Sequence, residues 1–522
     1  MVPKFTGFVH HFLASDMRPQ VHSIPVQVLS NRIFSHFFTI SSILTHSTRS
    51  NLNNYPLCGC PHEAIISAHV QSQLPEQSLN HFKLMVLKGL CPSSNSFNNV
   101  LGLLTKSGDL NKAWCFFNEF LGRTHFDVYS FGIMIKAFCE GGNVSKGFEL
   151  LAQMERMGLS PNVVIYTILI DACCKNGDIE QAKVLFSKMG DLGLVANQYT
   201  YTVMINGLFK KGCKKDGFEL YEKMNLIGVF PSVYTYNSLI NEYCRDGTLC
   251  LAFKLFDEMR TRGVSCNVVT YNILIGGLCR NRQVLKAEWL LEQMKLAHIN
   301  PSTITFNLLM DGFCNVGKFD KALSYFDELK LIGLSPTSVT YNILIAGFSK
   351  AGNSAVVCEL VREMEDRGIS PSKVTYTILM DAFVRSDDVG KASQMFHLMK
   401  KVGSVPDQYT YGVLMHGLCM KGNMVEASKL YKSMIETHLQ PNDVIYNTMI
   451  NGYCKECNSY KALKFLQEMV RKGMTPSQAS YSSTIEVLCK DGKSTEAKEL
   501  LKEMIENGLD PSESLCRRVG YA

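Results

Sequence analysis

Val163-Val164-Ile165-Tyr166-Thr167-Ile168-Leu169-Ile170 opens a stretch, residues 163–197, whose pattern returns along most of the chain. Tyr166, Leu169, Ile170 and Cys174 stand at helical spacing and define one apolar face. Asn176-Gly177 ends that helix. Asp178 is placed to cap a second helix, with Gln181 three residues on as its capping-box partner. Ala182, Leu185, Phe186 and Met189 form the second helix's face, and the small Ala182 lets the two helices approach closely. A loop closes the stretch near Ala196.

The pattern has a fixed period. Pro301, Pro336, Pro371, Pro406, Pro441, Pro476 and Pro511 are 35 residues apart, Pro161 and Pro231 fall on the same grid, and Ala196 and Cys266 occupy its remaining points. The alanine returns as Ala252, Ala287, Ala322, Ala392, Ala427, Ala462 and Ala497, and the methionine as Met154, Met224, Met259, Met294, Met364, Met399, Met434, Met469 and Met504. Two short helices cannot bury their own faces, so each unit packs on its neighbours. The expected fold is all-α, a right-handed superhelical solenoid of tandem helix–turn–helix repeats with a long concave surface. Twelve units cover 94–512, starting at 94, 128, 163, 198, 233, 268, 303, 338, 373, 408, 443 and 478. A degenerate unit at 59–93 keeps Ser78, Phe82, Met85, Gly89 and Pro92, and 513–522 begins one more helix as a cap.

In a chain of 522 residues, 46% hydrophobic, no apolar run approaches the roughly 18 residues of a membrane span. The net charge of +6 is too modest to argue for a nucleic-acid partner by itself. Cys139, Cys174, Cys244, Cys279, Cys314, Cys419, Cys454 and Cys489 share one place in their units and read as small apolar packing residues. The Cys454/Cys457 pair and Cys58-Gly59-Cys60 lack the second pair that a zinc site needs. Residues 1–58 carry Lys4, Arg18, Arg32 and Arg49 against Asp16 and are rich in Ser and Thr, the composition of an organelle transit peptide. The arginines and bulky apolar residues favour a mitochondrion over a chloroplast.

Three places recur that packing does not require. The fifth residue of each unit is Asn98, Gly132, Thr167, Thr202, Asn237, Asn272, Asn307, Asn342, Thr377, Gly412, Asn447 and Ser482. Asn is disfavoured inside helices, because its amide competes for backbone groups, so its recurrence asks for a function such as bonding a base edge. The closing residue is Asp127, Asn162, Asn197, Ser232, Asn267, Ser302, Thr337, Ser372, Asp407, Asn442, Ser477 and Ser512. Every one is a favoured helix N-cap, so capping and base contact both explain it. A cation ends the first helix at Lys106, Lys175, Lys210, Arg245, Arg280, Lys350, Arg385, Lys455 and Lys490. It suits the helix dipole and equally a row of phosphates. Glu140, Asn315 and Met420 interrupt it.

Thr235-Tyr236-Asn237-Ser238-Leu239-Ile240 and Thr270-Tyr271-Asn272-Ile273-Leu274-Ile275, with the later Cys279-Arg280, Ala287, Met294 and Pro301, resemble the pentatricopeptide repeat (PPR). The uniform 35-residue spacing resembles its P subfamily. The tetratricopeptide repeat has a 34-residue period and an opening Trp pattern, whereas Trp114 and Trp289 open no unit here. The resemblance implies binding of single-stranded organellar RNA, one base per unit, with N-to-C units reading 5′ to 3′. It also implies that the second residue sandwiches bases: Val164, Tyr199, Tyr234, Val269, Ile304, Val339, Val374, Tyr409 and Val444, alongside Tyr129. Asn95 and Ala479 depart from that pattern at the two end units.

At the reading pair, Asn in the fifth place reaches a pyrimidine, while Thr or Ser leaves room for a purine. A closing Asp only accepts hydrogen bonds and suits the ring N–H of U or G, whereas Asn, Ser or Thr can donate to A or C. These rules, which agree with the code associated with the family, give U-N-A-R-Y-C-Y-C-G-N-C-A. The two Gly units are permissive. No zinc-deaminase motif, Gly-rich phosphate loop or nucleophile–base pair appears, and the ten residues after Ser512 leave no space for a nuclease domain, so neither an enzyme nor a cofactor is expected. The expected function is sequence-specific RNA binding by a monomer in organellar RNA metabolism, alongside protein factors of RNA processing. A scaffold for protein interactions is the alternative.

Overall fold

The computed structural model describes residues 60–121 and 126–520. The expected 1–58 leader lies outside the described residues, as does Cys58. The described residues form 27 helices and no strand. None of these helices is long and apolar enough to cross a membrane. The chain divides into two compact units, one ending at Glu242 and the other beginning at Tyr243.

In the N-terminal unit, Val163–Lys175 packs against its own partner Ile179–Asp191 and against the first helices on either side, Val128–Glu140 and Gln198–Lys211. Within this unit first helices therefore form a continuous layer, and second helices cover one side of it. The core begins as a phenylalanine cluster, with Phe97 stacked on Phe116 at 4.9 Å and Phe82, Phe117, Phe120, Phe126 and Phe131 around them. Further along, Tyr166, Leu169, Ile170, Ala182 and Met189 continue it. Ahead of these pairs stands the hairpin of Cys60–Gln71 and Pro75–Leu87.

The C-terminal unit repeats this arrangement from Val268–Arg280 to Ser494–Glu506 and closes with the short helix Glu513–Val519. The recurring Met and Ala stripes are core in both units: Met294, Met364, Met399, Met434, Met469 and Met504 are fully buried, as are Ala287, Ala322, Ala392, Ala427, Ala462 and Ala497. The second helices end in a tight turn in which the N–H beyond the turn reaches back to the methionine's carbonyl, as Ile369 does to Met364 at 3.0 Å.

The cysteine stripe has a partner that the sequence reading did not name. Gly207, Gly277, Gly312, Gly347 and Gly452 lie inside first helices, where glycine is disfavoured by roughly 1 kcal/mol, and face Cys174, Cys244, Cys279, Cys314 and Cys419; Gly417 faces Val384 in the same way. A Cβ on Gly312 would stand 2.5 Å from Cys279 Sγ, and one on Gly347 2.6 Å from Cys314 Sγ. Each thiol occupies the space that the next helix leaves empty. Burial pushes Cys279 and Cys314 up to about 12, so both remain neutral thiols. Of the CxxC pair, Cys454 is buried in this stripe and Cys457 is exposed.

One expectation needs correction. Asp178 does cap Ile179–Asp191, accepting the Gln181 N–H at 3.1 Å, but the reciprocal Gln181 arm is not formed. The Asp178 N–H already donates to the Cys173 carbonyl at 2.9 Å, so it has nothing left for Gln181. Capping boxes form instead at first helices, where Ser302 with Thr305 and Ser372 with Thr375 exchange both bonds.

Candidate nucleic-acid interface

Places two, five, nine and thirteen of a first helix are separated by three or four residues, so they run along one side of it. The closing residue of the preceding unit stands at the N-terminus of the same helix. With a rise of about 1.5 Å per residue, the fifth place and the terminal cation are about 12 Å apart. The adjacent first helices of a unit repeat this stripe side by side.

The second place carries large apolar side chains in solvent. Val164, Tyr199, Tyr234, Val269, Ile304, Val339, Val374, Tyr409 and Val444 are 53–76% exposed, as is Tyr129 at 68%. Asn95 and Ala479 are exposed there too. A regular row of such groups on an otherwise well-packed fold is a surface suited to being covered.

The closing residues cap the helices that follow. Asp127, Asn162, Asn197, Asn267, Ser302, Thr337, Ser372, Asp407, Asn442, Ser477 and Ser512 each have extended backbone and accept an N–H from the third residue on. Ser232 Oγ accepts from Thr235 N–H in the same way at 3.2 Å. All are exposed or half-buried, so the cap leaves part of each side chain facing solvent. Asp407 is also paired with Lys373 at 2.8 Å. Burial alone pushes its carboxyl upward, but Lys373 and the N–H and hydroxyl of Thr410 outweigh that and hold it at about 2. It is an acceptor throughout the physiological range.

The fifth-place residues are less open than the sequence reading implies. Asn98, Thr167, Thr202, Asn237 and Thr377 are buried, and Asn272, Asn307, Asn342, Asn447 and Ser482 half-buried. Seven of them are held by a hydroxyl at the third place of the following unit, a residue the sequence reading passed over, whereas Asn237 Oδ1 and Asn307 Oδ1 are buried without a hydrogen-bond partner. Ser130 donates to Asn98 Oδ1 at 2.7 Å, Thr305 to Asn272 Oδ1 at 2.7 Å, Thr375 to Asn342 Oδ1 at 2.8 Å and Ser480 to Asn447 Oδ1 at 2.7 Å. Thr167, Thr202 and Thr377 meet Thr200, Thr235 and Thr410 at 2.7, 2.7 and 3.0 Å. Reading and closing side chains also touch, Asn98 Nδ2 donating to Asp127 at 3.1 Å and Asn272 Nδ2 to Ser302 Oγ at 3.5 Å. The signal was available, since Ser or Thr holds the third place except at Ile165 and Ile445, and these two follow Gly132 and Gly412.

The cations Lys106, Lys175, Lys210, Arg245, Arg280, Lys350, Arg385, Lys455 and Lys490 are all exposed at the ends of their helices. Lys175 and Arg385 each have a carboxylate one turn back. Asp171 holds Lys175 at 2.6 Å and raises its pKa through that hydrogen bond, and Asp381 holds Arg385 at 2.8 Å. No group of three His, Cys, Asp or Glu able to hold a metal occurs among the described residues.

The PPR repeat family matches residues 126–175, 161–210, 203–245, 231–280, 267–315, 301–350, 336–385, 374–420 and 441–490. The PPR repeat matches 96–124, 409–438 and 479–509. A pentatricopeptide repeat-containing protein of Arabidopsis thaliana is 53% identical over 155 residues, covering 30% of this chain and 27% of that protein. A second from the same plant, designated mitochondrial, is 35% identical over 105 residues, covering 20% of this chain and 26% of its own length. The chain thus spans well under two thirds of the length of these relatives. The crystal structure of the pentatricopeptide repeat protein PPR10 from maize superposes with a TM-score of 0.62 and 21% identity, covering 96% of this chain and 79% of that one, which places both in one fold.

Proposed function

The chain belongs to the pentatricopeptide repeat family, and on that premise we propose that it is a sequence-specific single-stranded RNA-binding protein of organellar RNA metabolism. It acts as a monomer that occupies a transcript, and so stabilises it, guides its processing or splicing, or opens it for translation. The repeats run from 94 to 512 after a degenerate unit at 59–93, and each reads one base. The observation that carries this reading is the repeated stripe on the first helices: an exposed apolar side chain, a polar reading pair and a terminal cation. An apolar face sandwiches bases of any sequence, hydrogen-bonding groups beside it distinguish them, and cations follow the backbone.

The plant relatives, one of them designated mitochondrial, support an organellar address, and the composition of 1–58 favours the mitochondrion over the chloroplast. The proposed role is binding without catalysis, so metal-dependent cleavage of RNA by the purified chain would contradict it. The reading pair is tested by Asn342→Thr together with Ser372→Asp. This double variant shifts preference at the eighth base from C to G, whereas unchanged preference means that these two residues do not read the base.

A further inference from the structure

We propose that the third-place hydroxyl of the following unit is a positioning residue that, at Asn98, Asn272, Asn342 and Asn447, sets which end of the reading amide faces the RNA. The inference rests on the base-reading function proposed above and identifies a determinant outside the reading pair. Thr375 and Ser480 are fully buried and donate to the Oδ1 of Asn342 and Asn447. Ser480 itself receives the Ser477 hydroxyl at 3.1 Å, which commits its own proton to Asn447.

Two further contacts fix the amide the same way. The backbone N–H of Ser477 can only donate, and it points at Asn447 Oδ1 at 3.3 Å. The carboxylate of Asp127 can only accept, and it takes Asn98 Nδ2. With Oδ1 occupied, Nδ2 is the group left for the base. A donor at this point suits the O2 acceptor that both pyrimidines carry, and an amide turned over would set two acceptors against each other.

The two Gly units follow the same logic. Where the fifth place has no side chain to orient, at Gly132 and Gly412, the third place of the next unit is Ile165 or Ile445. A Cβ at Gly412 would lie 3.7 Å from Ile445 Cγ1, ordinary contact, so the apolar residue fills the space the hydroxyl would use. Asn237 and Asn307 are the counter-cases: the Oδ1 of each is buried without a hydrogen-bond partner, and Thr270, the hydroxyl that follows Asn237, donates to Asn267 instead.

The test is base preference of the full chain at single RNA positions, measured by competition binding. Thr375→Val should cut discrimination of C against purines at the eighth base by about tenfold, the scale of one buried hydrogen bond. Discrimination at the sixth base should not change, and Thr375→Ser should restore the eighth. A gain-of-function arm is independent of any loss of stability. Gly412→Asn with Ile445→Thr should make the tenth base pyrimidine-selective, whereas Gly412→Asn alone should not. Equal selectivity of that single variant, or unaltered preference in Thr375→Val, overturns the positioning role. The double variant Asn342→Thr with Ser372→Asp separates this from failure of the underlying reading: a shift at the eighth base there, with none in Thr375→Val, removes the hydroxyl's role alone.

Discussion

At the scale of single residues, the cations and carboxylates make opposite predictions for RNA affinity. Replacing Lys210, Arg280, Lys350 and Lys490 with Gln should weaken binding to all RNA sequences about equally. It should also reduce the salt slope by about 0.7 for each phosphate of the single strand that is no longer neutralised. Asp171→Asn and Asp381→Asn should tighten binding instead, because Lys175 and Arg385 then have no intramolecular carboxylate to satisfy. Salt titrations of affinity measure both effects, and a flat response in the Gln set would leave these cations as dipole caps alone. Much of this stripe was legible in the sequence, because a solenoid repeats its site with its fold. The side chains at 5, 13 and the closing place could be named from their recurrence, and the second place from the family resemblance. What spacing could not reveal was the hydroxyl bolt. A Thr at the third helical position is an ordinary N-terminal residue until its neighbour one unit back is known to lie within 3 Å.

Helices and their packing supply a different class of prediction. The mid-helix glycines are places where two helices approach closely, and Gly312→Ala would drive a methyl into Cys279. Overpacking of this kind costs about 1–3 kcal/mol, against the sign expected from helix propensity, and denaturant unfolding measures it. Cys279→Ala in the same background should recover part of the loss. The N-terminal hairpin predicts a pH response. His62 Nδ1 and His81 Nε2 lie 3.0 Å apart, with His69 fully buried beside them. Burial lowers His69 to about 4, and burial with the charges of His62, His69 and Lys88 lowers His81 to about 3. Burial, then Lys88, lowers His62 too. The unfolded hairpin therefore binds protons first. Its stability is greatest above the ordinary imidazole pKa and declines as pH falls from there towards the folded values. Amide exchange across 60–90, corrected for intrinsic rate, should accelerate between about pH 7 and about pH 5 while that of 128–240 holds steady. His81→Leu should flatten the response, and a pH-independent hairpin would contradict the assignment. The helix pairs themselves were readable because apolar spacing recurs in every unit and capping residues and turn glycines in most, with Arg282, His298, Asp387, His438 and Cys457 standing where other units have the turn glycine. The Gln181 arm failed because no periodicity shows that the Asp178 N–H is already bound to Cys173.

For the whole molecule, the account rests on twelve units, ten of them offering a reading pair, so the number and order of bases are properties of the entire chain. Affinity should come from the summed apolar and phosphate contacts, and sequence from the pairs. The two Gly units should tolerate any base, and the units of Asn237 and Asn307, with their amides unanchored, should separate pyrimidines from purines least among the Asn units. A leader outside the described residues adds an expectation of its own: 1–58 fused to a fluorescent protein should enter mitochondria, and a diffuse signal would remove the organellar setting. The most direct test of the central claim is selection of RNA from a random single-stranded pool by the purified full chain at moderate salt, followed by sequencing of the bound fraction. The account predicts enrichment of U-N-A-R-Y-C-Y-C-G-N-C-A, strongest across the central Y-C-Y-C-G. A bound fraction no different from the input pool would contradict it and favour a scaffold for protein partners.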